Sequence, residues 1–300
     1  MKKTKILMAL LSLSLFAFMA LGSGSSEEES KEIVGSSENA GKENDGGNKE
    51  NTKKDVSIQE QVLLDKSGIK ITATKYQKDS IWGDGIALTI ENNTDKTYTI
   101  GCDALIVNDF MISDLFVADV VAGKKANETM HLSSSALEAA GIDSIGKIEM
   151  YFHAYDDNYH NLFKNEYSKI ETSLFGEMDT TCDTDGIELY NKDGIRIIGK
   201  AVDENSFWGT AILLYIENNS NANIGVNVDD FSINGYMIDP VFSSTIFAGK
   251  KAYDDITLFE ADLEDNHIES IENVELKFHI YNTDNYKTIA DSDVITFSTK

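Results

Sequence analysis

Ninety consecutive residues, Gly68 to Asp157, match Gly194 to Thr283 at a constant offset of 126 without a gap, and 32 of the 90 columns are identical. A tandem duplication of this length commits the chain to folding one architecture twice. It also supplies an internal comparison, because a column kept in both copies serves either the shared fold or a shared site.

Each copy reads as short runs of alternating apolar and polar residues separated by Gly, Asn and Asp, the period-two pattern of half-buried strands. QVLLDKSGIKITA and IELYNKDGIRIIG each put a Gly, Gly68 or Gly194, at a hairpin tip where positive φ is needed. Ile86, Leu88 and Ile90 keep the phase of Ile212, Leu214 and Ile216. Asn92-Asn93 and Asn218-Asn219 then suit turns, since Asn tolerates left-handed backbone. In the last shared strand Val274, Leu276, Phe278 and Ile280 face inward, leaving Glu275, Lys277, His279 and Tyr281 on the other side. Ser135 and Glu138, spaced as a capping box before Gly141, give the only helix signal. About seven strands per copy imply an all-β fold of two tandem immunoglobulin-like β-sandwiches, at 58–178 and 179–300.

Before them, residues 1–22 combine Lys2, Lys3 and Lys5 with an apolar run from Ile6 to Leu21 that is short for a membrane span, the pattern of a secretory signal. Its surroundings are similar to a lipoprotein signal, but Leu21 and Gly22 stand where the lipidated Cys would be. Residues 23–57 contain no aromatic side chain and are rich in Ser, Gly, Asn, Glu and Lys, so a disordered tether is expected there. The expectation is an exported protein, secreted or held at the cell surface, touching a membrane only through the signal if that is retained.

The formal net charge of −25 becomes −28 once a segment with three Lys and no acid is removed. Such a surface repels phosphate backbones, and no nucleic-acid partner is expected. The single Arg196 and single Pro240, beside abundant Lys, Asn and Ile, carry the composition of an AT-rich, low-GC Gram-positive genome. Two cysteines, Cys102 and Cys182, exclude a disulfide-dense scaffold; Cys102 reads as a small buried hydrophobe.

The succession GIKIT or GIRII, IENN, NGYMID, AGKKA and FHIY resembles an uncharacterised family of extracellular domains of Gram-positive bacteria. The resemblance covers both copies and implies immunoglobulin-like sandwiches, often on lipoproteins with a low-complexity tether. It implies no catalytic residue. Copy one departs from it with Asn108-Asp109-Phe110 where copy two has Asn234-Gly235-Tyr236.

Among duplicated polar residues, Glu149, His153 and Tyr155 in copy one and Glu275, His279 and Tyr281 in copy two share a strand face, where cross-strand pairing competes with a ligand site. Lys124 and Lys125, with Lys250 and Lys251, sit beside a turn Gly and read as edge-strand lysines or as anion contacts. Trp82-Gly83 and Trp208-Gly209 read as corner plugs. Asp183-Thr184-Asp185-Gly186 opens like a calcium loop but lacks its later ligands, which favours a turn. No metal, cofactor or nucleophile setting is recognisable. The functional expectation is therefore a non-catalytic surface or secreted protein with tandem binding or adhesion modules for an extracellular or cell-envelope ligand. A spacer without a ligand site and a calcium-binding module are the alternatives.

Overall fold

The computed structural model describes residues 55–78, 83–112, 116–206 and 209–299. The expected signal, nearly all of the tether, Trp82 and Trp208 lie outside the described residues. The last tether residues are tied down: Ser57 and Ser173 exchange two hydrogen bonds, Ser57 N to Ser173 Oγ at 3.1 Å and Ser173 N to Ser57 O at 2.9 Å.

In copy one the elements are β1 (Gln61–Lys66), β2 (Ile69–Gln77), β3 (Gly85–Asn92), β4 (Tyr98–Val107), β5 (Phe110–Ile112), β6 (Val117–Val120), β7 (Lys125–His131), α1 (Ser134–Ala139), β8 (Lys147–Tyr155) and β9 (Asn161–Glu171). Copy two runs β10 (Ile187–Lys192), β11 (Ile195–Ser206), β12 (Gly209–Asn218), β13 (Ile224–Ile233), β14 (Tyr236–Met237), β15 (Ser244–Ile246), β16 (Lys250–Leu258), α2 (Glu260–Asp265), β17 (Asn273–Asn282), β18 (Thr288–Asp291) and β19 (Ile295–Ser298). Sheet β1-β2-β3-β7 packs on β5-β4-β8-β9, with β6 also on β4; its counterpart β10-β11-β12-β16 packs on β14-β13-β17-β18, with β15 and β19 added. The architecture is the all-β, immunoglobulin-like sandwich, with the second and third strands of each copy paired directly.

Local chemistry accounts for the correspondence. The first hairpin of each copy turns through two residues of positive φ, Ser67-Gly68 at 52° and 85° and Asp193-Gly194 at 55° and 77°, the backbone that matches strand twist. Even the irregularities repeat: register shifts at Val62/Leu64 and Ala73/Lys75 recur at Glu188/Tyr190 and Gly199/Ala201. Val274, Leu276, Phe278 and Ile280 are all fully buried, as the alternation requires. Each such side chain contributes roughly 1.5–3 kcal/mol of burial.

Three expectations need correction. Neither Asn92 nor Asn218 has positive φ; both are buried and act through their side chains. Asn218 donates to Ala222 O and Ile246 O at 2.8 and 2.9 Å and accepts from Ser220, and Asn92 does the same with Lys96, Val120 and Thr94. The helix is capped by Ser133, whose Oγ accepts from Ala136 N, two residues before the expected Ser135; Gly141 does end it, at φ 65°. Cys102 is only half-buried, its Sγ donating to Ala104 O at 3.1 Å, and no disulfide joins it to Cys182.

Each copy has its own apolar core, one centred on Ile71, Leu88, Ile100 and Phe152 and one on Ile197, Leu214, Val226 and Phe278. The described residues of both copies nevertheless belong to one compact unit. The two sandwiches share a sheet, because β16 of copy two pairs in parallel with β5 of copy one at Lys251 and Phe110, giving nine strands in β10-β11-β12-β16-β5-β4-β8-β9 with β6.

Candidate functional site

The outward face of β8 carries Lys147, Glu149, Tyr151, His153 and Tyr155, and the structure divides it into two halves with different fates. The first half is covered by copy two. Lys250 Nζ lies 2.5 Å from Glu149 Oε2 and 2.6 Å from Asp109 Oδ1, while Lys147 reaches the same two carboxylates at 3.3 and 2.7 Å. Phe247 inserts beside them onto Ala104 and Ile106 and meets Tyr151 edge-on at 4.7 Å. Lys251 completes the contact: its N donates to Asp109 O, its ammonium sits 5.5 Å from the Phe110 ring centroid and donates to Thr180 O.

Electrostatics in this joint follow from its geometry. Burial presses the Lys250 ammonium towards neutrality, yet Asp109 and Glu149 outweigh it and hold its pKa above the ordinary lysine value. Burial likewise opposes charge on Asp109, but Lys147 and Lys250 keep its carboxyl below the usual range. Tyr167, partly buried and donating to Glu149 at 3.1 Å, is pushed up to about 12. Asp109 has positive φ, 70°, where its counterpart in copy two is Gly235; the carboxylate explains why a strained residue stands there.

Three of the expected surface candidates are therefore not surface groups. Glu149, Lys250 and Lys251 belong to the joint, and Lys250-Lys251 promote the strand pairing that edge lysines were expected to discourage. Their sequence counterparts behave otherwise: Lys124 and Lys125 are exposed, Lys125 pairing with Glu91 at 2.8 Å on the edge strand β7, and Glu275 is exposed.

The second half of the β8 face is a stacked aromatic strip, and it is duplicated. His153 stacks on Tyr155 with ring centroids 5.7 Å apart, and Tyr155 on Tyr159 at 5.5 Å. In copy two His279 stacks on Tyr281 at 5.7 Å and Tyr281 on Tyr286 at 6.2 Å. Each imidazole is oriented by a carboxylate on its Nδ1, Asp103 at 2.7 Å or Asp291 at 2.6 Å. The rings lie flat because a small residue sits beneath: a Cβ on Gly101 would strike His153, and one on Gly225 would strike Tyr281.

The strips end on Tyr159 and Tyr286, 80% and 79% exposed and both with positive φ, 60° and 57°. A bulky residue in the left-handed region is uncommon, and here it recurs in both copies. The turns that hold them also recur. Asp156 Oδ1 accepts from Asn158 N and His160 N, Asn282 Oδ1 accepts from Asp284 N and Asn285 N, and the Tyr amides bond to Asp156 O and Asn282 O, both at 2.8 Å. Constant-offset comparison ends just short of these tyrosines. One extra residue in copy two shifts the repeated Asp-Asn-Tyr, Asp157-Asn158-Tyr159 and Asp284-Asn285-Tyr286, to an offset of 127; a gapped comparison would have found it.

The remaining acidic motif is occupied by a lysine. Lys200 Nζ lies 2.9 Å from Asp183 Oδ2 and donates to the carbonyls of Asp183 and Asp185, while Asp183 Oδ1 caps its own turn through Asp185 N. Among the described residues no group of three or more His, Cys, Asp or Glu side chains converges as a metal site, and no helix is long and apolar enough to cross a membrane.

The chain matches no family model and no curated protein sequence. Among solved structures, it aligns with the Salmonella enterica SafA pilin bound to its SafB chaperone at 10% identity and TM-score 0.25, over 78% of this chain and 98% of that one. An exo-β-D-glucosaminidase, CsxA, aligns at 12% identity and TM-score 0.23, over 71% of this chain and 26% of the enzyme. Red sea bream transglutaminase aligns at 10% identity and TM-score 0.19, over 80% and 31%. Likenesses this slight say nothing of function.

Proposed function

We propose that this is an exported, non-catalytic binding protein of the cell surface or surroundings, in which two copies of one sandwich each present the same aromatic strip to an extracellular or cell-envelope ligand. The observation that carries the reading is the duplication of the strip's exposed end. Tyr159 and Tyr286 contribute nothing to either core, yet both are kept in a costly backbone conformation by equivalent turns. Rigid tyrosines contact a partner with little loss of conformational freedom, and exposed residues held by a stable scaffold are where binding resides.

The joint gives the duplication a purpose. Two sites held in one body make the second contact with a repeating ligand intramolecular, which raises avidity without any new contact. A spacer reading is favoured by the same joint, since a locked pair of sandwiches is also a stiff rod. Binding of the intact chain, compared with Tyr159→Ala, Tyr286→Ala and the double variant, to a panel of cell-wall polymers, glycans and extracellular proteins separates the two. Loss of a captured ligand in the double variant supports binding. Failure to capture anything leaves the spacer, and capture indifferent to both tyrosines removes the strips as the binding site.

A further inference from the structure

Resting on the binding role just proposed, we infer that the ligand of the two strips is a repeating polysaccharide without anionic groups, one sugar ring seated on the outer face of Tyr159 and another on that of Tyr286. Three observations lead there. Each terminal Tyr has one ring face against Tyr155 or Tyr281 and stands 80% or 79% exposed, so the side away from the stack is an apolar plate large enough for the C–H face of a pyranose. An amphipathic ring suits a ligand that is apolar on its faces and polar around its rim.

Hydrogen-bonding groups flank each plate in the same order. Asp157 and Asn158 precede Tyr159, Asp284 and Asn285 precede Tyr286, and all four are exposed. Carboxylates accept from hydroxyls, and amides both donate and accept, the complement of a sugar's rim. The backbone amides of Asn158, Asp284 and Asn285 are already committed to Asp156 or Asn282, which fixes each turn; Asn285 Oδ1 also accepts from Lys287 N at 3.0 Å, which orients that amide with its NH2 donors directed away from the turn bond.

Charge supplies the third constraint. A chain of net charge −25, with Asp157 and Asp284 beside the plates, repels sulfated, phosphorylated or carboxylated polymers. Two equivalent plates in one compact unit then favour a polymer over a single sugar.

The intact chain titrated with neutral hexasaccharides of cello-, malto- and chito- type, and with the matching polymers, tests this. A short oligosaccharide that binds is expected to saturate at two per chain, falling to one in Tyr159→Ala or Tyr286→Ala and to none in the double variant. The polymer is expected to bind at least tenfold tighter than the oligosaccharide, a gain either single variant abolishes, and carboxymethylated cellulose is expected to bind at least tenfold more weakly than its uncharged parent. Stoichiometry unaffected by both substitutions overturns the assignment. So does capture of a protein, and no neutral glycan, through the two tyrosines, an outcome that keeps the binding role and removes only the glycan. Capture of nothing at all removes both.

Discussion

Replacing Lys250 by Met tests whether the joint holds the two sandwiches together. The ammonium contacts Asp109 at 2.6 Å and Glu149 at 2.5 Å, and the Lys250 and Glu149 side chains are 12% and 8% exposed. Removing one partner of a buried pair costs about 3–5 kcal/mol, because the other charge is left without solvent or counter-charge. Lys147 remains 3.3 Å from Glu149, so Lys250→Met is expected at the lower end, ~3 kcal/mol. Taking away both charges in Lys250→Met with Glu149→Gln should recover most of the loss, since a buried pair replaced whole is often neutral, giving a coupling of about 2 kcal/mol. The assay uses the one Trp in each copy: chemical unfolding of Trp82→Phe and Trp208→Phe backgrounds follows one sandwich at a time. With Lys250 present both probes should report one transition, and with Met there they should separate. A Lys250→Met protein within about 0.5 kcal/mol of its parent, the range of ordinary surface substitutions, with coincident transitions, would refute the reasoning.

Asn218→Ala should cost about 2–4 kcal/mol in a thermal melt, since it strands the carbonyls of Ala222 and Ile246 that its amide satisfies. Asp109→Gly copies the residue at the equivalent turn and relieves positive φ, so backbone strain alone would make it stabilising; loss of the contacts to Lys147 and Lys250 should instead make it destabilising. Because the folded pKa of Asp109 is depressed, its contribution is present above the unfolded carboxylate pKa of about 3.9 and is lost as pH falls through the folded value; a melt series from pH 7 downward checks this. Asp254 behaves oppositely. Burial raises its carboxyl pKa, so native stability falls as pH rises through that value, and Asp254→Asn should raise the melting temperature at pH 7 while leaving it nearly unchanged at pH 3.

Much of the fold was legible because its causes are local. Alternation identified the inward Val274, Leu276, Phe278 and Ile280, and the hairpin glycines marked turns whose geometry permits few other residues. Turn asparagines were placed correctly but for the wrong reason, since burial of Asn92 and Asn218 depends on strands far away in sequence. The joint was illegible in the motif that makes it. AGKKA is identical in both copies, yet Lys124 and Lys125 face solvent and Lys250 and Lys251 face copy one. What differs is the surrounding outward columns: Thr72, Thr89, Val121 and Asn127 in copy one are Ile198, Tyr215, Phe247 and Tyr253 in copy two. Ile198, Tyr215 and Tyr253 pack against the core of copy one, so outward positions that turn apolar in a single copy were the signal. On the accepting side Ala104, Ile106 and Tyr151 are replaced in copy two by Asp230, Ser232 and Lys277, with Lys277 and Asp230 paired at 2.6 Å. The contact is thus built once, and the equivalent face of copy two carries a polar pair instead.

A duplicated sandwich locked into one body by a joint that one face of each copy makes is the claim on which the bivalent reading rests. Residual dipolar couplings of backbone amides in both copies, measured in one weakly aligned sample, test it directly. A single alignment tensor fitting β1–β9 and β10–β19 together is expected, and Phe247→Ala, which empties the seat on Ala104 and Ile106, should split it in two. Separate tensors in the unaltered chain would contradict the claim.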